Sequence, residues 1–231
     1  MMIRQLFDAE SSTYTYLVAD EHTGEAALID PVREKLGRDR TLLEELGFTL
    51  RYVLETHVHA DHVTGAGLLA DSTGAKTAAS SLGASCAVEH LGDGDVVRVG
   101  SIEIRALATP GHTQDSLSYY VDGHVFTGDA LLVRGTGRTD FQSGNPGQLY
   151  DSITQKLFTL PDDTLVWPAH DYRGHTVTTI GEEKRHNPRL AGKTRAQFVA
   201  IMNDLTLPPP RKMALAVPAN LACGRDTLGS S

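Results

Sequence analysis

Apolar and polar residues alternate along much of this chain in short runs of period two, with fewer segments of helical period between them. Thr13-Tyr14-Thr15-Tyr16-Leu17-Val18 and Ile102-Glu103-Ile104-Arg105-Ala106-Leu107-Ala108 alternate as half-buried strands do. The pattern predicts strands near 3–7, 13–19, 25–29, 50–55, 75–79, 95–99, 102–108, 116–121 and 124–128, and over Thr164-Leu165-Val166-Trp167. Gly or Asp-Gly turns separate several of them. Helices are predicted near 33–46, where Gly47 stops the run, over the apolar-rich segment 63–70, and near 146–158, 181–186 and 194–204. Strands fill the first half, and no repeat of solenoid length is visible. Pro208-Pro209-Pro210 reads as a stiff extended connection. Residues 1–231 are therefore expected to form one domain with a C-terminal extension from about 190.

Composition narrows the class without choosing a function. A chain of 231 residues that is 40% hydrophobic can bury one sizeable core. No apolar run approaches membrane-spanning length, so no membrane partner is expected. The start, Met1-Met2-Ile3-Arg4-Gln5-Leu6-Phe7-Asp8, has neither a signal-peptide apolar stretch nor the Arg/Ser bias of a transit peptide, and a cytoplasmic location is the expectation. The formal charge of -8 supplies no basic stripe for phosphates, which argues against a nucleic-acid partner. It also means that an anionic substrate needs locally placed Arg or metal charge. Cys86 and Cys223, without C-x-x-C spacing, read as no disulfide framework and no thiolate metal site, with Cys223 a packed thiol. The charge run Glu182-Glu183-Lys184-Arg185 reads as a solvated helix face. Gly135-x-Gly137 is not a phosphate loop, lacking the Lys-Ser/Thr ending.

The candidate chemistry lies at Thr56-His57-Val58-His59-Ala60-Asp61-His62, directly after the apolar run Tyr52-Val53-Leu54. Residues i and i+2 of an extended chain share a face, so His57 and His59 are expected to face one point. Asp61 is expected in the first turn of the following helix. So many donors in so short a span would be costly to pack unless something binds them. Further donors follow strand ends beside Gly or Pro: His112 in Thr109-Pro110-Gly111-His112, Asp129 after Gly128, and His170 in Pro168-Ala169-His170. All are imidazole or carboxylate, which suits zinc, iron or manganese and disfavours iron–sulfur chemistry. Spacing leaves open a binuclear hydrolase or a mononuclear iron(II) site with vacant positions.

The ordered motifs H-x-H-x-D-H, G-H, G-D and A-H resemble the metallo-β-lactamase superfamily. Within it, the chain resembles the persulfide dioxygenase (sulfur dioxygenase) family, related to glyoxalase II. The resemblance rests on THVHADHVTGAG, TPGHTQDSLSYY, FTGDALLVRGTGRTDFQSGNP, PAHDYRGHTVTTIGEEKRHNPRL and AVPANLACG, and so covers nearly the whole chain. It implies an α+β four-layer αβ/βα sandwich, two mixed sheets flanked by helices with the metal site at one edge. It implies one Fe(2+) per chain held by His57, His112 and Asp129, with His59, Asp61, His62 and His170 around them to orient ligands and hold water or substrate. The implied reaction oxidises glutathione persulfide with O₂ and water to sulfite and glutathione. Arg138, Tyr172 and Arg189 are the implied substrate-binding residues, with Arg138 equally suited to bracing the metal loop. A homodimer is what the family suggests. The alternatives are a glyoxalase II-like binuclear zinc thioester hydrolase and a non-catalytic metal-binding or sulfur-carrying protein.

Overall fold

The computed structural model describes residues 1–210 and 212–225. Six strands form the first sheet: β1 (Met2–Asp8), β2 (Thr13–Asp20), β3 (Glu25–Ile29), β4 (Thr49–Leu54), β5 (Lys76–Ser80) and β6 (Glu89–Leu91), side by side in that order. β1 to β3 pair antiparallel and β3 to β6 pair parallel, so the sheet is mixed. Parallel neighbours need a crossover, and two of them are helical: α1 (Leu36–Leu46) joins β3 to β4, and α2 (Ala66–Thr73) joins β4 to β5. Gly47, at φ 70°, takes the left-handed conformation that ends α1.

The second sheet comprises β7 (Val96–Val99), β8 (Ile102–Ala108), β9 (Leu117–Val121), β10 (His124–Gly128), β11 (Leu165–Pro168) and β12 (Thr178–Thr179), in the order β12-β11-β10-β9-β8-β7. β10 and β11 pair parallel and are bridged by α3 (Pro146–Gln155). Asn145 caps α3 by accepting from the Gln148 N–H at 3.0 Å, and Pro146 occupies the first turn, where its missing N–H costs nothing. α4 (Ile180–His186) and α5 (Arg195–Asn203) follow, each capped by a threonine, and α6 (Met213–Leu221) closes the described chain. The fold is that of two mixed sheets flanked by helices, as the motifs implied.

The described residues form two compact units: Met1–Leu91 with Val96–Ile104 and the described residues from Pro209 to Arg225, and Gly92–Asp95 with Arg105–Pro208. In the first, all eight residues of β2 are buried. Leu17, Leu28, Leu50 and Val53 from the sheet pack with Leu43 of α1 and Leu69 of α2. In the second, Val125 and Val166 pack with Leu149 and Ile153 of α3, Ile180 of α4 and Phe198 and Met202 of α5. Each such aliphatic or aromatic side chain, fully buried, contributes roughly 1.5–3 kcal/mol. Among the described residues, no helix is long and apolar enough to cross a membrane.

The structure corrects several expectations. The helix predicted at 63–70 begins only at Ala66. Val32 and Thr64 form an antiparallel bridge and the Gly65 N–H donates to Pro31 O, which keeps this stretch out of the helix. Asp61 therefore lies outside any helix. The segment predicted as a helix from 33 opens with a 3₁₀ turn, Arg33–Lys35. Strands β6 and β12 are short, three and two residues, and left no readable alternation. Helix α6 was not expected, because Pro218 lies inside it. Cys86 and Cys223 form a disulfide with Cα atoms 5.9 Å apart, against the expectation of a packed thiol. The turn after α6 returns to the first unit, 137 residues along the chain from its partner, a closeness that spacing cannot reveal.

Candidate metal centre

β4 ends at Leu54, and the H-x-H-x-D-H motif follows as bent, irregular backbone rather than an extended strand. The rings nevertheless converge: centroids of His57 and His59 lie 4.0 Å apart, and those of His59 and His62 4.4 Å. Asp30, just past β3 at φ 51°, organises this loop. Its two carboxylate oxygens accept from the Thr56 N–H and hydroxyl, both at 2.7 Å. That hydroxyl has one hydrogen and gives it to Asp30, so towards His57 Nδ1, 2.9 Å away, it accepts. His57 therefore carries its proton on Nδ1, and its Nε2 is left with a lone pair, the form a metal requires.

His59 is fully buried, with Nε2 at 3.1 Å from Asp30 Oδ1 and 3.6 Å from Glu55 Oε2. Burial opposes its charge, but Asp30, then Asp61 and Glu55, outweigh that and raise its pKa to about 9 in the metal-free protein. Asp61 accepts from the Thr13 hydroxyl at 2.9 Å and pairs with His62 Nδ1 at 2.9 Å. In this unit His59, Asp61 and His62 form one group able to hold a metal ion, and Asp30, Glu55 and His59 another.

The second unit gathers its own donors. Gly111, at φ 136°, turns the chain after β8 where an added Cβ would lie 2.3 Å from the Leu149 N; only glycine fits there. The turn presents His112, whose Nδ1 lies 2.6 Å from the Arg138 carbonyl oxygen. A carbonyl only accepts, so Nδ1 carries a proton, and Nε2 faces Asp129 Oδ2 at 3.4 Å. His170 Nε2 stands 3.7 Å from the other Asp129 oxygen. A carboxylate flanked by two imidazole nitrogens is a donor arrangement that fits a divalent cation. Gly137 closes over this group: a Cβ there would lie 2.3 Å from Asp129 O and 2.9 Å from His112 Cγ.

The three expected substrate residues differ in availability. The Arg138 guanidinium pairs with both Asp140 oxygens at 2.7 and 2.8 Å, donates to Pro208 O at 2.7 Å and covers the Phe141 ring. It braces its own loop. Tyr172 is 72% exposed and stacks on His170 with an interplanar angle of 10°. Arg189 Nη1 donates to Thr136 O at 2.7 Å, and burial, reinforced by the charge of Arg173, lowers its pKa. A guanidinium so placed would be stabilised by an incoming anion.

Two roles escaped sequence reading. Asp30 carried a readable signal, a carboxylate at a strand end beside Pro31, the same signature as the other donors. Glu183 carried a misleading one. Instead of facing solvent it is fully buried, pairing with the Arg134 guanidinium and accepting from the Arg134 N–H at 3.0 Å, the Thr178 hydroxyl at 2.9 Å and the Asn187 amide at 2.8 Å. α4 turns this face inward, whereas Lys184 and Arg185 remain at the surface beside Asp162.

Comparison with known proteins gives a consistent picture. Residues 9–85 and 87–170 match the family model of the metallo-beta-lactamase superfamily. The chain is 47% identical over 230 residues to the human mitochondrial persulfide dioxygenase ETHE1, covering 98% of this chain and 90% of that protein. The crystal structure of ETHE1 from Myxococcus xanthus superposes with a TM-score of 0.96 at 60% identity, covering 97% of this chain and all of the other. A more distant structure, TTHA1623 in a di-iron-bound form, has a TM-score of 0.69 at 26% identity over 81% of this chain and all of that one.

Proposed function

The chain belongs to the metallo-β-lactamase superfamily and, within it, to the persulfide dioxygenases; on that footing we propose that it oxidises glutathione persulfide at one iron(II) ion. The observation that carries the activity is the 47% identity to a persulfide dioxygenase across 98% of the chain. The reaction is GSSH + O₂ + H₂O → GSH + SO₃²⁻ + 2H⁺. We assign the metal to His57, His112 and Asp129, with His59, Asp61, His62 and His170 around it, in one working domain. The proton placements support this. Thr56 holds the Nδ1 proton of His57 and the Arg138 carbonyl that of His112, so each ring offers Nε2.

Iron(II) bound there supplies positions at which O₂ is activated beside the persulfide sulfur. The protein's part is to orient and to bind. Thr56 and Arg138 lock the two rings, and His170 supports Asp129 from its other oxygen. Arg189 meets a glutathione carboxylate, because a guanidinium can donate two parallel hydrogen bonds to it. Tyr172 covers the substrate body from its exposed position over His170. Arg138 acts through the loop it braces.

The test is oxygen uptake with glutathione persulfide beside hydrolysis of S-lactoylglutathione, with iron and zinc measured on the same sample. One iron per chain and oxygen uptake are expected. Two zinc ions, no iron and thioester hydrolysis would replace the proposal with the hydrolase. A homodimer and a cytoplasmic location are part of the proposal. Chain mass in solution checks the first. Fractionation of cells against markers of each compartment checks the second.

A further inference from the structure

Helix α6 and the turn after it have no part in the reading above, yet they sit directly on the loop that carries His57 to His62. The Asn220 side chain, 4% exposed, makes three hydrogen bonds there. Its Nδ2 donates to His59 O and His62 O, each at 2.9 Å, and its Oδ1 accepts from the Thr64 N–H at 2.8 Å. Only this amide orientation works, since a flip would set an acceptor against two carbonyls and a donor against an N–H. Both carbonyls belong to buried, irregular backbone, where no ladder satisfies them.

The turn that presents Asn220 is itself anchored. The Gly67 N–H donates to Cys223 O at 2.8 Å, and a Cβ on Gly67 would lie 2.6 Å from that oxygen. A Cβ on Gly224 would lie 1.9 Å from Thr64 O. The disulfide to Cys86 ties the turn from behind, and Arg225 pairs with Asp71 at 2.6 Å. Such close backbone approach on every side leaves Asn220 little freedom to move.

We propose that Asn220 is a positioning residue for the metal: by holding the carbonyls of His59 and His62 it sets the loop from which the imidazoles reach the ion. The proposal rests on the preceding reading only in taking this loop as metal-binding. Residues that orient ligands from outside the coordination sphere typically control metal affinity or activity by about 10- to 100-fold.

Asn220→Asp keeps the size and the acceptor for Thr64 but turns an oxygen towards both carbonyls; Asn220→Ser removes all three bonds and is read identically should the aspartate not fold. Ala216→Gly, at a fully buried α6 position outside these bonds, is the control for loss of helix stability alone. Melting midpoints are measured without metal and with Fe(II) under anaerobic conditions or Zn(II) as a redox-inert probe. The metal-induced shift reports affinity, because an ion that binds only the native state stabilises it in proportion to the logarithm of its concentration over Kd. The Asn220 variants are expected to lose about 10- to 100-fold in metal affinity and to lower kcat more than they raise KM. Ala216→Gly should lower all midpoints and leave the shift intact. An unchanged shift in a folded Asn220 variant, or an equal loss in Ala216→Gly, would overturn the proposal. Should wild-type protein consume no oxygen with iron, the dioxygenase reading fails, while the Zn(II) shift still decides for or against Asn220.

Discussion

Removing the Glu183 carboxylate should cost this protein much of its stability. Glu183→Ala leaves the Arg134 guanidinium, the Arg134 N–H, the Thr178 hydroxyl and the Asn187 amide without their shared acceptor. Breaking a buried ion pair from one side typically costs about 3–5 kcal/mol. Glu183→Gln retains one oxygen but turns an NH₂ towards donors, for a loss of roughly 2–4 kcal/mol. Against a total of roughly 5–15 kcal/mol, either is severe. At about 2–4 °C per kcal/mol for a chain of this size, Glu183→Ala should melt roughly 6–20 °C lower. The consequence reaches the metal group, because the same network fixes the segment from Arg134 to Gly137. Asn187 donates to Gly135 O at 3.0 Å, and the Gly137 N–H donates to Asp129 O at 2.7 Å. Urea titration of the metal-free variants gives the free energies. Arg134→Ala should cost a similar amount, and the double variant about 1 kcal/mol or more less than the sum, as partners in one network do. A loss for Glu183→Ala below about 1 kcal/mol, typical of surface substitutions, would refute the buried-network account and restore the solvated-face reading.

Gly137→Ala should displace His112 or Asp129, lowering metal affinity at least ~10-fold and stability by about 1–3 kcal/mol, as overpacking does; metal titration and melting check it. The raised pKa of His59 makes metal-free stability depend on pH. Its folded value, about 9, exceeds the ordinary 6.5, so the stabilisation is full below 6.5 and is lost as pH rises through about 9. Urea midpoints of metal-free protein should fall between pH 6.5 and 9, and Asp30→Asn should flatten that dependence; an identical slope in the variant would contradict it. Arg189→Met should raise KM for the persulfide by about 10- to 100-fold, the worth of a charge-assisted hydrogen bond, with kcat little changed. Arg138→Met, by contrast, should act through its loop on kcat and on metal retention, since its guanidinium is already engaged with Asp140 and Pro208.

Local patterns determined a good deal of this protein. Alternation located most strands and Gly47 marked where α1 stops, because both depend on neighbours within a few positions. The candidate donors were legible for a related reason: His57, His112, Asp129 and His170 each follow a strand end, the last three beside a Gly or Pro that turns the chain, and that signature is written locally. What only the tertiary structure decided depends on partners far apart in sequence. Thr56 and Asp30 select the protonated nitrogen of His57 across 26 positions. Glu183 is drawn inside by Arg134, 49 residues earlier, against the polar pattern of its own helix. Asn220 meets His59 from 161 residues away, and Cys223 finds Cys86 across 137. A buried polar group persists only where its hydrogen bonds are supplied, and which distant residue supplies them is set by the packing of the whole chain.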